Sequence, residues 1–121
     1  MDKTFFIAGS ISGFISVALG AFAAHILKDK LAPDMFSIFE VAVRYEMYHA
    51  LALLAVAFAA QWIGSYATTS GWLFIGGSVV FSGSLYALSL TGMRWLGAIT
   101  PIGGVLFLAG WAYLIIGAVK K

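Results

Sequence analysis

The side chains of this chain that could do chemistry are few, and most of them fall in two short parts of the sequence. The candidates are His25, Glu40, Arg44, Glu46, Tyr48, His49, Arg94 and Thr100. Glu40 precedes Arg44 by four residues, which is the order and spacing that favours an ion pair on one helix face. Two histidines on different helices at a similar depth would also be a starting point for a haem or metal site.

Most catalytic chemistries lack the residues they need here. There is no cysteine, which excludes disulfides, thiolate metal sites and cysteine nucleophiles. Neither histidine has an acidic co-ligand at ligand spacing, and no nucleophile–base pair is evident. We therefore predict no catalytic residues, no metal site, no cofactor and no enzymatic activity. The serines of the third span, Ser78, Ser82 and Ser89, are spaced for hydrogen bonds between helices.

Long uncharged stretches determine which elements must position these residues. No Asp, Glu, Lys or Arg occurs in 4–27, 47–93 or 95–119, and the chain is 62% hydrophobic and 10% charged. Soluble domains are about 45–50% apolar and about 25% charged. About 20 apolar residues are enough to cross the hydrocarbon of a bilayer. The sequence therefore predicts an integral membrane protein, and its net charge of +2 is too small to indicate a nucleic-acid partner.

The stretch 47–93 is too long for one span, so it must contain a turn. Residues 64–71, rich in glycine, serine and threonine, are the predicted break. The result is an all-α membrane protein, a single domain over 1–121 folded as an antiparallel up-down bundle of four transmembrane helices. The predicted spans are about 4–27, 41–62, 71–90 and 95–119. The second helix is expected to begin earlier, at Pro33, with its first turns outside the hydrocarbon.

Small residues predict how the helices approach one another. Gly9 and Gly13 form a G-x-x-x-G motif that suits either an internal packing seam or a dimerisation face, so a homo-oligomer is an open alternative. Glycines repeat every seven residues in the third and fourth spans, at Gly76, Gly83, Gly103, Gly110 and Gly117. Pro101 is expected to kink the fourth span, with neighbouring groups compensating its missing N–H.

In an up-down bundle, four helix ends meet at one membrane face, and the polar residues are predicted to converge there. The predicted polar cluster, a candidate site for a headgroup or ligand, is His25, Glu40, Arg44, Tyr48, His49 and Arg94. Three interpretations stay open. Arg44 and Glu46 mark the water boundary, or a buried Glu40–Arg44 pair and the histidines fix helix register. Alternatively, the cluster binds a lipid headgroup, a proton or a small solute.

Four segments resemble the signature of one family. They are Leu19–His25, Phe39–Ala50, Phe81–Tyr86 and Arg94–Gly104. The chain resembles the uncharacterised bacterial inner-membrane proteins of the YgdD/YwdK type, a domain of unknown function. The resemblance implies four spans in a plasma membrane, but no substrate, reaction or cofactor. The family often has Gln where Glu46 stands, which argues against an essential acid there, and Gly where Ala23 and Ile26 stand.

The predicted function is that of a small non-catalytic membrane protein. We expect it to contribute to membrane or envelope integrity through contacts with membrane lipids or other proteins. The alternative is a transporter or channel for a proton or small solute that uses the polar cluster. The predicted location is the bacterial plasma membrane, with both termini on one side. A nearly even balance of basic residues gives only a slight preference for the cytoplasm.

Overall fold

The structure, a computed structural model, describes residues 1–121 as four long helices joined by short connections. The helices are α1 (Lys3–His25), α2 (Pro33–Ile63), α3 (Ser65–Thr91) and α4 (Thr100–Lys120). Short 3-10 segments at Leu27–Asp29 and Arg94–Ala98 lie in the two longer connections. All four helices are long and apolar enough to cross a bilayer. The predicted all-α architecture of four transmembrane helices is confirmed.

The ends of α1, α2 and α4 follow from local chemistry. The Asp2 carboxylate caps α1 by accepting hydrogen bonds from the backbone N–H groups of Thr4 and Phe5. Pro33 lies in the first turn of α2, as predicted. Pro101 also lies in a first turn, that of α4, where its missing N–H has no helical partner to lose. The predicted kink within the fourth span is therefore wrong.

The turn between α2 and α3 is much tighter than predicted. Helix α2 ends at Ile63, α3 begins at Ser65, and Gly64 alone reverses the chain with φ +59°. Residues 65–71, predicted as part of a loop, are helical instead. Backbone N–H and C=O groups near hydrocarbon need partners within the chain, and continuing the helix supplies them despite the polar side chains.

The helices pack in sequential antiparallel order, with α2 and α3 at the centre. A larger share of the residues is buried in α2 and α3 than in α1 and α4. Helix α1 packs on α2, and α4 packs on α3. Large apolar side chains point outward from the flanking helices, for example Phe14 at 77% exposure and Val119 at 80%. That surface suits hydrocarbon, because soluble proteins rarely expose large contiguous apolar patches.

Glycines of α4 receive aromatic side chains of α3. A Cβ on Gly110 would lie 2.5 Å from the Phe74 ring, and one on Gly117 would lie 2.6 Å from the Tyr66 side chain. A Cβ on Gly103 would lie 2.5 Å from the backbone nitrogen of Phe81. The predicted glycine seam on α4 is confirmed as an internal contact.

On α3 the predicted glycines are not the closely packed ones. Gly77, not Gly76, lies against the Phe107 ring, and a Cβ on Gly83 would meet nothing within 4 Å. On α1, a Cβ at Gly9 would lie 2.7 Å from the carbonyl oxygen of Ala50 in α2. Of the two alternatives for the G-x-x-x-G motif, Gly9 therefore serves the internal packing seam.

Serine hydroxyls connect neighbouring helices by donating to backbone carbonyls. The three pairs are Ser16 to Val43 at 2.8 Å, Ser82 to Ala42 at 2.8 Å and Ser70 to Gly110 at 2.7 Å. The prediction of a helix–helix hydrogen bond is confirmed for Ser82. It is wrong for Ser89, whose hydroxyl donates to the Tyr86 carbonyl of its own helix. Ser78 makes no hydrogen bond at all, although its hydroxyl oxygen is buried.

Candidate functional site: a lateral cleft with a buried carboxylate

The Glu40–Arg44 ion pair, one of the three interpretations of the polar residues, does not form. Both side chains are exposed and line a small groove of about 90 Å³ beside Gly20 and Ala23 of α1. The molecule has one salt bridge, and it does not include either residue. That interpretation is wrong because i, i+4 spacing on an exposed helix face gives a pair only a small energetic advantage.

Arg94 instead forms that salt bridge with Asp34, at 3.0 Å between Nη2 and Oδ2. The hydrogen bond from the Arg94 guanidinium lowers the pKa of the Asp34 carboxyl group. Both side chains are well exposed, so the contact connects the start of α2 to the α3–α4 connection without forming a pocket. His25, at the end of α1, is also exposed.

His49 is buried in the α2–α3–α4 interface, with 4% exposure. Its Nε2 accepts a hydrogen bond from Trp111 Nε1 at 3.1 Å, which leaves Nδ1 to donate to the Tyr45 carbonyl at 2.8 Å. Its ring stacks on Phe107, with centroids 3.5 Å apart. Both ring nitrogens are occupied by protein groups, so this histidine has no free position for a ligand.

The two histidines do not lie at a similar depth, contrary to prediction. Ala50, next to His49, packs at the level of Gly9 in α1. His25 lies sixteen residues further along that helix, which corresponds to about 24 Å. Tyr48 is half exposed beside Tyr45. The six predicted residues therefore do not meet as one contacting group, and a functional role for them stays a prediction.

A different set of side chains lines a cleft of about 430 Å³ between α1, α2 and α3, one of three grooves of similar volume in the molecule. We call it the lateral cleft. Its walls are mainly apolar, including Ile15, Leu53 and Ile75. Ile11 and Val79, also lining residues, are 55% and 69% exposed, so the cleft opens sideways towards the position of the lipid.

Aromatic pairs flank the lateral cleft along the helix axes, next to its lining residues. Near the start of α1, Phe5 packs edge-on against Trp72 of α3, with centroids 5.3 Å apart. Towards the other surface, Tyr86 packs against Phe39 at 5.0 Å, in a cluster that also contains Leu19. The side that faces lipid, where Ile11 and Val79 are exposed, is therefore the evident entrance to the cleft.

Glu46 supplies the only charged group of the lateral cleft. It is 8% exposed, and it belongs to a buried row of α2 that recurs every three or four residues, between Ala42 and Leu53. Its Oε1 accepts from the Tyr86 hydroxyl at 2.7 Å, and its Oε2 accepts from the Ser12 hydroxyl at 3.2 Å. No lysine, arginine or histidine lies within ion-pair distance of it.

The contact with Ser12 places this carboxyl group well inside the membrane. Ser12 lies nine residues from the start of α1 and thirteen from its end, or about 14 and 20 Å along the axis. The interpretation that Glu46 marks the water boundary is therefore wrong. An adjacent uncharged run of seventeen residues, 47–63, made that interpretation reasonable, but α2 crosses the bilayer with Glu46 included.

Two further features of the lateral cleft are a hydroxyl without a hydrogen-bond partner and a glycine beside free space. The Ser78 hydroxyl lines it without a hydrogen-bond partner. Gly83 also lines it, and a side chain there would extend into free space. Sequence reasoning missed this site because Glu46 was considered only as a marker of the water boundary, and Ser12 was not considered as its partner. The available signal was an acid directly beside an uncharged run, with a hydroxyl in the small-residue row of α1.

Comparisons with known proteins agree with the resemblance seen in the sequence. Residues 19–104 match the family described as protein of unknown function (DUF423). The UPF0382 membrane protein YwdK of Bacillus subtilis (strain 168) is 49% identical over 121 residues, covering 98% of each chain. A UPF0382 membrane protein of Staphylococcus epidermidis is 48% identical over 118 residues, covering 98% of this chain and 97% of the relative. No solved structure matches. The chain therefore belongs to the DUF423 family, whose relatives found here are UPF0382 membrane proteins.

Proposed function

We propose that this multi-pass membrane protein is non-catalytic and contributes to membrane integrity by holding a lipid-like molecule in the lateral cleft. The observation that carries the proposal is the shape of that cleft, which is apolar, about 430 Å³ in volume and open towards hydrocarbon. An apolar groove beside lipid tails is filled rather than left empty, because vacant walls lose their dispersion contacts. Association then depends on close packing, as it does between membrane helices.

The cleft is suited to binding rather than to passage. Its opening lies on the side that faces lipid, and the aromatic pairs Phe5–Trp72 and Tyr86–Phe39 flank it along the helix axes. On the opposite side of α2, a second groove of about 420 Å³ includes His49 in its lining, but both ring nitrogens of His49 are already hydrogen-bonded within the protein. These contacts favour a binding protein over a channel.

Transport of a proton or small solute is the second candidate, and Glu46 is the observation that favours it. Ionisable groups inside a bilayer are often part of transport pathways. An acid that faces lipid through a side opening could serve a transporter that alternates between conformations.

We place the protein in the bacterial plasma membrane with both termini in the cytoplasm, and a homo-oligomer stays a prediction.

The test uses a bacterial strain that lacks the protein. Loss of the protein is expected to raise uptake of an apolar fluorescent dye, and re-expression of the wild type should reverse this. Gly83→Leu fills the cleft and should fail to restore the barrier. The matched control, Gly104→Leu, places the same side chain where a Cβ meets nothing within 4 Å, outside the cleft. Equal restoration by both variants would reject a role for the cleft.

A further inference from the structure

Resting on the proposed function of the lateral cleft, we infer that its ligand in this chain is an amphipathic amine, a specificity that relatives with Gln at the position of Glu46 would not share. The protonated amine lies on the Glu46 carboxylate, and its apolar tail lies between α1 and α3. Three features of the cleft support this class of ligand: an acid without a counter-charge, free hydrogen-bond acceptor positions, and apolar walls that hold no cation.

The first feature is a carboxylate without a counter-charge. Both oxygens of Glu46 accept hydrogen bonds from neutral hydroxyls, those of Tyr86 and Ser12. Hydroxyls orient the group but do not neutralise it, and the ionised form of a carboxyl away from water is stable only when it is paired with a cation. An ammonium group would supply the missing charge at the point where the cleft is polar.

The second feature is the number of free hydrogen-bonding positions. A carboxylate has about four lone-pair sites, and Ser12 and Tyr86 use two of them. The buried hydroxyl of Ser78, which lines the same cleft, has no partner and can accept. A primary ammonium has three N–H donors and no acceptor, so it matches a site whose unused capacity is for accepting.

The third feature excludes anionic headgroups. Arg44, the basic residue nearest to Glu46 in sequence, lines the groove beside Gly20 and Ala23 and not the lateral cleft. A phosphate or carboxylate in the cleft would face Glu46 with no cation to offset the repulsion. The head of the ligand is therefore positive. Its tail is alkyl or aryl, because the walls it would contact are apolar and are formed by residues such as Ile15 and Ile75.

The experiment measures binding of radiolabelled decylamine to the full-length protein in phosphatidylcholine nanodiscs. Empty nanodiscs give the amount of probe dissolved in the lipid, which is subtracted. Decanol is the matched uncharged probe, with the same tail and a neutral head. We expect saturable binding of decylamine, at one molecule per chain, and no saturable binding of decanol. Equal binding of both probes, or no saturable binding of decylamine, would overturn the inference without the need for any variant.

Two variants locate the site. Glu46→Gln keeps an oxygen that can accept from Tyr86 or Ser12 but removes the charge, and it should weaken decylamine binding at least tenfold. Gly83→Leu should do the same by filling the cleft, whereas Gly104→Leu should bind as the wild type does. Unchanged binding in Glu46→Gln would reject the acid as the recognising group.

The inference and the proposed function can fail separately. If Gly83→Leu loses the membrane barrier while the wild type does not bind decylamine, the cleft holds a lipid-like molecule of another class. If decylamine binds through Glu46 while Gly83→Leu restores the barrier fully, the amine site is real and the role in membrane integrity is not.

Discussion

Helix α2 buries two polar side chains only three residues apart, and they face opposite neighbours. His49 lies towards α4. Trp111 of α4 and the Tyr45 carbonyl of α2 hydrogen-bond its two ring nitrogens, and Phe107 of α4 stacks on one face of the ring. Glu46 lies towards α1 and α3, where two hydroxyls hold it beside open space. A polar group whose hydrogen-bonding positions are all used within the protein supports the fold. One that keeps unused positions beside open space is available to a ligand.

The glycines of the two regions show the same difference. Between α3 and α4, aromatic side chains pack against glycines, as Phe74 does against Gly110 and Phe107 against Gly77. At Gly83, on the cleft side of α3, the missing side chain is not replaced by any other group. The same residue type therefore allows close helix contact on one side and keeps a cavity open on the other.

The largest expected effect comes from Gly103→Leu in the α3–α4 interface. Even its Cβ would lie 2.5 Å from the backbone of Phe81, so the two helices must separate. We expect a loss of about 3 kcal/mol in the free energy of unfolding, measured by titration with sodium dodecyl sulfate in mixed micelles. The neighbouring Gly104→Leu should change it by less than about 0.5 kcal/mol. Equal losses in the two variants would mean that this interface is not closely packed.

A smaller effect should separate the two buried polar residues when each is changed to glutamine. His49→Gln loses the stacking on Phe107 and disturbs the hydrogen bond from Trp111, which should cost about 2 kcal/mol in the same titration. Glu46→Gln keeps a hydrogen-bonding group of the same shape and removes an unpaired charge. Its unfolding free energy should therefore stay within about 0.5 kcal/mol of the wild type or increase. A loss as large as that of His49→Gln would assign Glu46 a structural role.

The smallest effect is expected outside both regions, at the exposed Arg94–Asp34 salt bridge. Exposed ion pairs gain little because water screens them and ordering two long side chains costs entropy. Arg94→Ala should leave the unfolding midpoint in the dodecyl sulfate titration unchanged within error. A clear shift would show that the connection between α3 and α4 depends on this contact, and would return Arg94 to the set of important polar residues.

The charge pattern was enough to predict the helices but not their contacts. Four spans follow from where charged residues are absent, and Pro33 marks the start of α2 because it suits a first helical turn. The turn at Gly64 was predicted too long, since polar residues after it resemble a loop although the membrane favours a continued helix.

The candidate site was harder to predict, because it depends on how each helix is rotated about its axis. Glu46 and His49 lie three residues apart on the buried face of α2, yet that face is wide enough to contact different partners at its two edges. Depth was also misjudged. Helix α2 begins so early that His49 lies about 24 Å from its start, far from the level of His25.

The sideways opening of the lateral cleft determines which concentration of a compound governs its binding. Because the cleft opens towards hydrocarbon at Ile11 and Val79, an occupant first dissolves in the bilayer and then diffuses in from the side. Occupancy therefore follows the membrane concentration of the compound, which is its aqueous concentration multiplied by its partition coefficient. Among compounds with the same head, apparent potency should rise with tail length even where the contacts inside the protein are identical.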